Sequence, residues 1–150
     1  MTTSRRSDLP PALAEEPDFV TWAAGHGVIR HAPVTVQRIA DLLEQRATGP
    51  GQRRAWLERL AAADRLACMG MWLVAHMTYA RRVRLDGEPL SAEAFKPTPE
   101  GHTGGALNMV PAYVGYLAAN AMEGLTRSWL MGQGHCVAAI DAVNLLVDNM

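Results

Sequence analysis

The sequence predicts a helix-rich α/β fold, and three observations lead to this prediction. Apolar residues recur at helical spacing in the stretches 35–48, 53–84 and 136–150. The short apolar segment 125–131 has the length of a buried strand. A glycine-rich turn follows this segment and leads into the last helix, which is the strand–turn–helix order of α/β proteins.

The composition is typical of a globular domain with one sizeable core. The chain has 150 residues, of which 49% are hydrophobic and 19% are charged, with a formal net charge of -1. This balance offers no electrostatic reason to expect a nucleic acid or an anionic membrane as a partner. The longest apolar run, 66–80, is shorter than the roughly 20 residues that span a bilayer. Cys68 and Cys136 lie far apart, so we expect no disulfide scaffold and a reduced, cytoplasmic location.

The first half of the chain is predicted to contain a loop-rich extension and two long helices. Prolines interrupt residues 1–34, so we expect loops there, with a short helix after Pro17. Thr35 is a candidate cap for the helix at 35–48. The helix at 53–84 becomes apolar nearly all round in its second half, which predicts burial on every side.

The second half is predicted to run through a loop, a helix, a strand, a turn and a final helix. Three prolines and a glycine between 81 and 100 indicate a connecting loop. The helix at 106–122 contains Pro111, which is tolerable only near a helix start. The strand at 125–131 and the helix at 136–150 follow.

Two Gly-His turns are the candidate functional features. "GHTGG" begins at Gly101 and "GQGH" begins at Gly132, and each turn runs into a helix. Free backbone N–H groups and the helix dipole attract an anion there, and glycines let the backbone approach it closely. His102 and His135 could converge on one substrate, for proton transfer or for hydrogen bonding to a carbonyl or phosphate. Each turn taken alone is better explained as an ordinary loop that carries a surface histidine, and the functional interpretation depends on the two turns together.

The remaining histidines and arginines are weaker candidates. We expect His26 and His31 to be surface residues of a loop and His76 to be a hydrogen-bonded core residue. The arginines between 81 and 84 are expected at a solvated helix end. The sequence has no Walker loop, Rossmann glycine pattern, Ser-His-Asp order or metal-ligand spacing, so it predicts no metal ligands.

The order and spacing of the two turns resemble the start of the transketolase and phosphoketolase group, which are thiamine-diphosphate enzymes. Phosphoketolases carry Gly-His-Trp-Gly and then Gly-Pro-Gly-His-Gly, and their pattern is more similar to this chain than the transketolase pattern is. A Lys-Pro pair before the first turn, here Lys96-Pro97, adds to the likeness. The resemblance covers about residues 60–150 and depends on two short motifs.

The resemblance implies a fold, a cofactor and site residues. Residues 35–150 would be the N-terminal part of a pyrophosphate-binding α/β domain, with the cofactor at the interface of a homo-oligomer. His102 would lie beside the thiazolium and the substrate, and His135 near the diphosphate, as the catalytic histidines. The implied cofactor-binding residues are Gly101, Gly104, Gly132, Gly134 and His135.

The chain also departs from the family pattern. Thr103 and Cys136 follow the two histidines, where the family has other residues. The Gly-Asp-Gly turn that holds Mg²⁺ in the family is absent, and so is the domain whose glutamate activates the cofactor. The resemblance therefore implies the N-terminal part of an enzyme that uses thiamine diphosphate and Mg²⁺ to cleave a phosphorylated ketose, inactive by itself.

Two alternatives stay open on the sequence alone. The chain could be a small, mostly helical interaction protein, or a non-catalytic subunit of a split enzyme. If it is part of an unfinished parallel sheet, an edge strand and apolar helix faces would be exposed, and we expect self-association.

Overall fold

The computed structural model describes residues 9–82, 84, 86 and 88–150, and its secondary structure is helical. The five α-helices are α1 (Pro17–Ala23), α2 (Pro33–Arg46), α3 (Pro50–Tyr79), α4 (Thr103–Glu123) and α5 (Val137–Leu146). Single turns of 3-10 helix lie at Ala92–Ala94 and Gly134–Cys136. The helix-rich part of the predicted fold class is confirmed. Within the described residues no β-strand forms, and β-pairing is limited to isolated bridges.

The predicted strand at 125–131 is therefore wrong, because this segment packs on a helix and not on another strand. The carbonyl of Arg127 accepts a hydrogen bond from the hydroxyl of Tyr116 in α4. The ring of Trp129 lies 5.4 Å from that of Tyr113 and 5.1 Å from that of Tyr116, measured between centroids. A strand requires a neighbour to pair its N–H and C=O groups, and the described part of the chain supplies none.

Prolines determine where the first three helices begin. Pro17, Pro33 and Pro50 are the first residues of α1, α2 and α3. The fixed φ of proline suits the first turn, where its missing N–H removes no helical hydrogen bond. As a result α2 and α3 begin slightly earlier than the sequence predicted. Thr35 lies inside the first turn of α2, and Ala32 occupies the capping position.

Helix α3 ends at Tyr79, earlier than predicted, because the chain enters a bridge between Ala80 and Phe95. Lys96 stabilises this end: its backbone N–H donates to the Tyr79 carbonyl at 2.9 Å, and its Nζ donates to the Met77 carbonyl at 2.8 Å. A cation is favourable near the carbonyls of a helix C-terminus. Although α3 has 30 residues, none of the described helices has the length and apolar character needed to cross a membrane.

Helix α4 begins directly after His102 and continues through Pro111, which lies well inside the helix and not near its start as expected. It ends at Gly124, whose φ of 65° is the left-handed conformation that favours glycine at a helix C-terminus. Helix α5 is shorter than predicted and ends at Leu146.

The chain divides into two compact units, and the division lies between Arg65 and Leu66 inside α3. The first unit contains α1, α2 and the first half of α3, and aromatic and aliphatic side chains form its core. Its buried residues are Leu9, Leu13, Phe19, Trp22, Ala23, Val36, Ala40, Leu43, Ala47 and Leu57.

In the second unit α4 and α5 run parallel, with their N-termini at the same end. Gly105 near the start of α4 lies against Cys136 at the start of α5, and further along Tyr113 donates a hydrogen bond to Asn144 at 3.0 Å.

The connection between these parallel helices must therefore return along α4, which is about 31 Å long at 1.5 Å per residue. The connection 124–133 reaches about 33 Å only when it is extended, so we infer that 125–131, which forms neither helix nor strand, is close to extended.

The second half of α3 packs against both of these helices at Gly70. A Cβ atom on Gly70 would lie 2.9 Å from Cγ1 of Val110 in α4 and 3.3 Å from Cγ2 of Val143 in α5. Both valines are fully buried. The three helices thus meet at a residue without a side chain.

Candidate functional site

The structure brings the two sequence-predicted histidines together at one end of the second unit. His102 is the residue immediately before α4, and His135 lies in the 3-10 turn that leads into α5. Their ring centroids are 4.9 Å apart and their planes are inclined by 53°. Both side chains are exposed to solvent. The pairing follows from the parallel arrangement of α4 and α5, and the catalytic role of the pair stays a prediction.

Gly105 allows this approach, and the sequence did not identify it as a site residue. A Cβ atom at this position would lie 3.2 Å from Sγ of Cys136 and 3.2 Å from Cδ2 of His135. Either contact is tighter than most real Cβ contacts, so a side chain here would require Cys136 or His135 to shift by a few tenths of an ångström. The only signal for this role is the Gly-Gly pair in "GHTGG", of which Gly104 faces open space.

The glycines predicted to bind the cofactor lie around the histidine pair and leave space there. Gly101 has a φ of +128°, which residues with side chains rarely adopt, and it lies against Thr78 of α3. A Cβ atom on Gly104, Gly132 or Gly134 would meet nothing within 4 Å. These three positions therefore leave open space beside the two turns, and the role of the glycines as cofactor ligands stays a prediction.

The electrostatics of this end favour an anion. Neither α4 nor α5 has a side chain that hydrogen-bonds its N-terminal N–H groups, and neither has an acidic residue in its first turn. The first N–H groups of a helix lack intrahelical acceptors, and the helix dipole places partial positive charge on them. The hydroxyl of Thr103 is directed elsewhere, since it donates to the hydroxyl of Tyr79 at 3.4 Å. Helix α4 therefore begins beside His102 without a capping side chain, whereas the first N–H of α5, that of Val137, donates to the Gly134 carbonyl in the 3-10 turn that contains His135.

The described residues do not include a group of three or more histidine, cysteine or carboxylate side chains arranged to hold a metal ion. Cys68 and Cys136 are free thiols, and Cys136 is buried beneath the second turn. The thiol of Cys136 donates weakly to the side-chain oxygen of Gln133 at 3.7 Å, so its contacts are those of a structural residue.

The other histidines make different contacts, and His31 differs from expectation. Instead of being a surface residue, His31 is largely buried, stacks on Trp22 at a centroid distance of 4.4 Å, and pairs through Nε2 with Asp64 at 2.8 Å. His76 stacks on Trp72 at 3.6 Å and its Nδ1 is 3.0 Å from the Trp72 carbonyl.

We expect His31→Ala to lower the free energy of unfolding by about 1–3 kcal/mol, because Asp64 would be left largely buried without its partner. Chemical denaturation of His31→Ala, Asp64→Asn and the double variant measures the coupling. His26→Ala, which changes an exposed histidine of the same loop, serves as the control and is expected to alter stability by less than about 0.5 kcal/mol. Equal effects of His31→Ala and His26→Ala would show that the pair adds nothing.

Comparison of the chain with protein-family models, with curated proteins and with solved structures gives no match. The family resemblance of the two turns thus depends on the quoted motifs alone. The helical secondary structure of the described residues lends no support to the α/β thiamine-diphosphate domain that the resemblance implies.

Proposed function

We propose that the two Gly-His turns bind a phosphate group, with His102 and His135 as hydrogen-bonding partners. The observation that carries this proposal is the 4.9 Å separation of the two rings, with His102 at the N-terminus of α4, where no side chain caps the helix, and His135 in the 3-10 turn before α5. We further propose that the phosphate belongs to thiamine diphosphate, in a cytoplasmic ketose-phosphate-cleaving enzyme of the phosphoketolase or transketolase kind. The order of the motifs "GHTGG" and "GQGH" supports this second step.

The donors at this end suit a diphosphate. Helix N-termini and flexible glycine turns present backbone N–H groups to phosphate oxygens, and charge-assisted hydrogen bonds from imidazole strengthen the interaction. The open space around Gly104, Gly132 and Gly134 admits such a group. Mg²⁺ fits less well, because it requires oxygen ligands and the described residues bring no carboxylate cluster together. The proposal therefore requires magnesium ligands from another polypeptide segment.

The two histidines have different roles in this proposal. When bound, thiamine diphosphate supplies the nucleophilic carbon that cleaves the bond beside the ketone of the sugar phosphate. His102 lies at the start of α4 and would hydrogen-bond the substrate and relay a proton to it. His135 lies in the turn before α5 and would hold the diphosphate. Because both rings are exposed, each can exchange protons with solvent.

Titration calorimetry with inorganic pyrophosphate tests the phosphate site directly. We expect His102→Ala and His135→Ala each to weaken binding about tenfold, which corresponds to about 1.4 kcal/mol and to the loss of one charge-assisted hydrogen bond. His26→Ala is the matched control, since it removes an exposed histidine remote in sequence from the two turns. Unchanged pyrophosphate affinity in both variants of the pair would remove the basis of the proposal.

A second candidate is a helical interaction protein or a non-catalytic subunit of a split enzyme. The observation that favours it is the extended segment 125–131, in which Leu125 is 56% and Leu130 is 94% exposed. Light scattering separates the two candidates when it is combined with the titration. A self-associating chain without affinity for pyrophosphate would favour the interaction protein.

A further inference from the structure

A groove of about 360 Å³ lies in the second unit, between α3 and the loop that follows this helix. On the helix side Trp72, His76 and Tyr79 line the groove. These residues lie four and three positions apart and therefore share one face of α3. On the loop side Glu88 and Phe95 line it. Aromatic rings and one carboxylate thus face a common space.

The backbone holds the aromatic walls in place. Phe95 forms the bridge with Ala80, and the N–H of Arg81 donates to the carbonyl of Ala94 at 2.8 Å, so the base of the loop is tied to the end of α3. One face of Trp72 is covered by the ring of His76. Tyr79 and Phe95 are 43% and 48% exposed, and their rings are the ones open to a ligand.

Glu88 is the one acidic residue among the described residues that line the groove. Glu88 is exposed, and its backbone N–H donates to Oδ1 of Asp86 at 3.2 Å. Asp86 in turn accepts hydrogen bonds from Arg84, and these bonds hold the pKa of Asp86 below its ordinary value. Arg84 is thus engaged by a carboxylate. The described residues that line the groove include no lysine or arginine, and the nearby guanidinium of Arg81 is engaged with the backbone, since its Nε donates to the carbonyl of Phe95 at 3.3 Å.

We propose that this groove binds an organic cation that carries a quaternary or methylated ammonium group. Aromatic ring faces attract such a cation through their quadrupole, and recognition of quaternary ammonium by several rings is a known use of this interaction. The volume lies near the lower end of the roughly 300–1,000 Å³ range of small-molecule sites. The aromatic and carboxylate lining disfavours a phosphate, so this inference goes beyond the proposed function, although the hydroxyl of Tyr79 also accepts a hydrogen bond from Thr103 in the first Gly-His turn.

Two probes of the same shape distinguish a cation site from a merely apolar groove. Choline carries a quaternary ammonium, and 3,3-dimethyl-1-butanol replaces its nitrogen by a neutral carbon. In calorimetric titrations we expect choline to bind at least about tenfold more tightly than the neutral analogue, since only the cation gains from the ring quadrupoles and from Glu88. Equal affinity of the two probes, or binding of neither, overturns the proposal.

Matched variants locate the site. Glu88→Gln is expected to weaken choline binding several-fold and to leave the affinity for the neutral analogue unchanged. Glu93→Gln is the control, because it changes an exposed carboxylate of the same loop outside the groove. We expect it to change the affinity for neither probe. Tyr79→Leu removes a ring and is expected to reduce choline affinity, and Tyr79→Phe keeps the ring and the affinity. Phe95→Leu provides the same measurement if Tyr79→Leu unfolds, as judged by circular dichroism. Choline binding that survives the loss of either ring contradicts the proposal.

Discussion

Replacement of Phe19 by alanine is expected to lower the free energy of unfolding of the first unit by about 3–5 kcal/mol. The side chain of Phe19 is fully buried, and its ring lies 5.7 Å from that of Trp22. It belongs to the core that α1, α2 and the first half of α3 form together. Removing the ring loses the free energy gained by transferring it from water to the core. It also leaves a cavity that the surrounding side chains fill only partly, and both effects destabilise the unit.

The chain contains one other phenylalanine, which makes a matched control. Phe95 is 48% exposed, and we expect Phe95→Ala to cost less than about 1 kcal/mol. Urea denaturation followed by tryptophan fluorescence and by circular dichroism measures both variants. If the two substitutions cost the same, the burial of Phe19 would not be the source of its contribution.

Gly70→Leu is expected to destabilise the second unit by about 3 kcal/mol or more, through overpacking. The first added carbon already lies 2.9 Å from Cγ1 of Val110 and 3.3 Å from Cγ2 of Val143. Both valines are fully buried and have stiff χ1 angles in a helix, so neither can move aside easily. Gly70→Ala is expected to destabilise less, because the better helix propensity of alanine offsets part of the clash.

Gly115 in α4 is the matched control for this prediction, since nothing lies within 4 Å of a Cβ atom there. We expect Gly115→Ala to stabilise the chain by about 0.5–1 kcal/mol through helix propensity alone. Thermal and urea denaturation of the two alanine variants give the comparison. A stabilising effect of Gly70→Ala equal to that of Gly115→Ala would contradict the close packing of the three helices at Gly70.

Much of the helical structure could be predicted from the sequence, because its signals are local. The apolar spacing in α2 includes Val36 and Leu43, and both are buried in the core of the first unit. The start of α2 at Pro33 also has a local cause, because proline is favourable in the first turn of a helix. The predicted start at residue 35 did not take this preference into account. The predicted end of α3 was wrong because the observed end depends on the bridge between Ala80 and Phe95, which joins residues distant in sequence.

The candidate site was predicted in part. The sequence indicated that His102 and His135 could converge, because each stands in a glycine turn before a helix. The distance between their rings depends on Gly105, whose missing side chain admits the second turn, and no sequence pattern states which helices run parallel. The pair of His31 with Asp64 was not predicted either, since its two members belong to different elements.

The sequence by itself determined which stretches are helical and approximately where the helices start, because each helical hydrogen bond joins residues four positions apart. The tertiary structure decided the conformation and contacts of 125–131, the meeting of the two Gly-His turns and the groove beside α3. An apolar segment of strand length becomes a strand only when another strand pairs with it. In this chain the rings of Tyr113 and Tyr116 on α4 pack against Trp129 instead, and the segment stays extended along a helix.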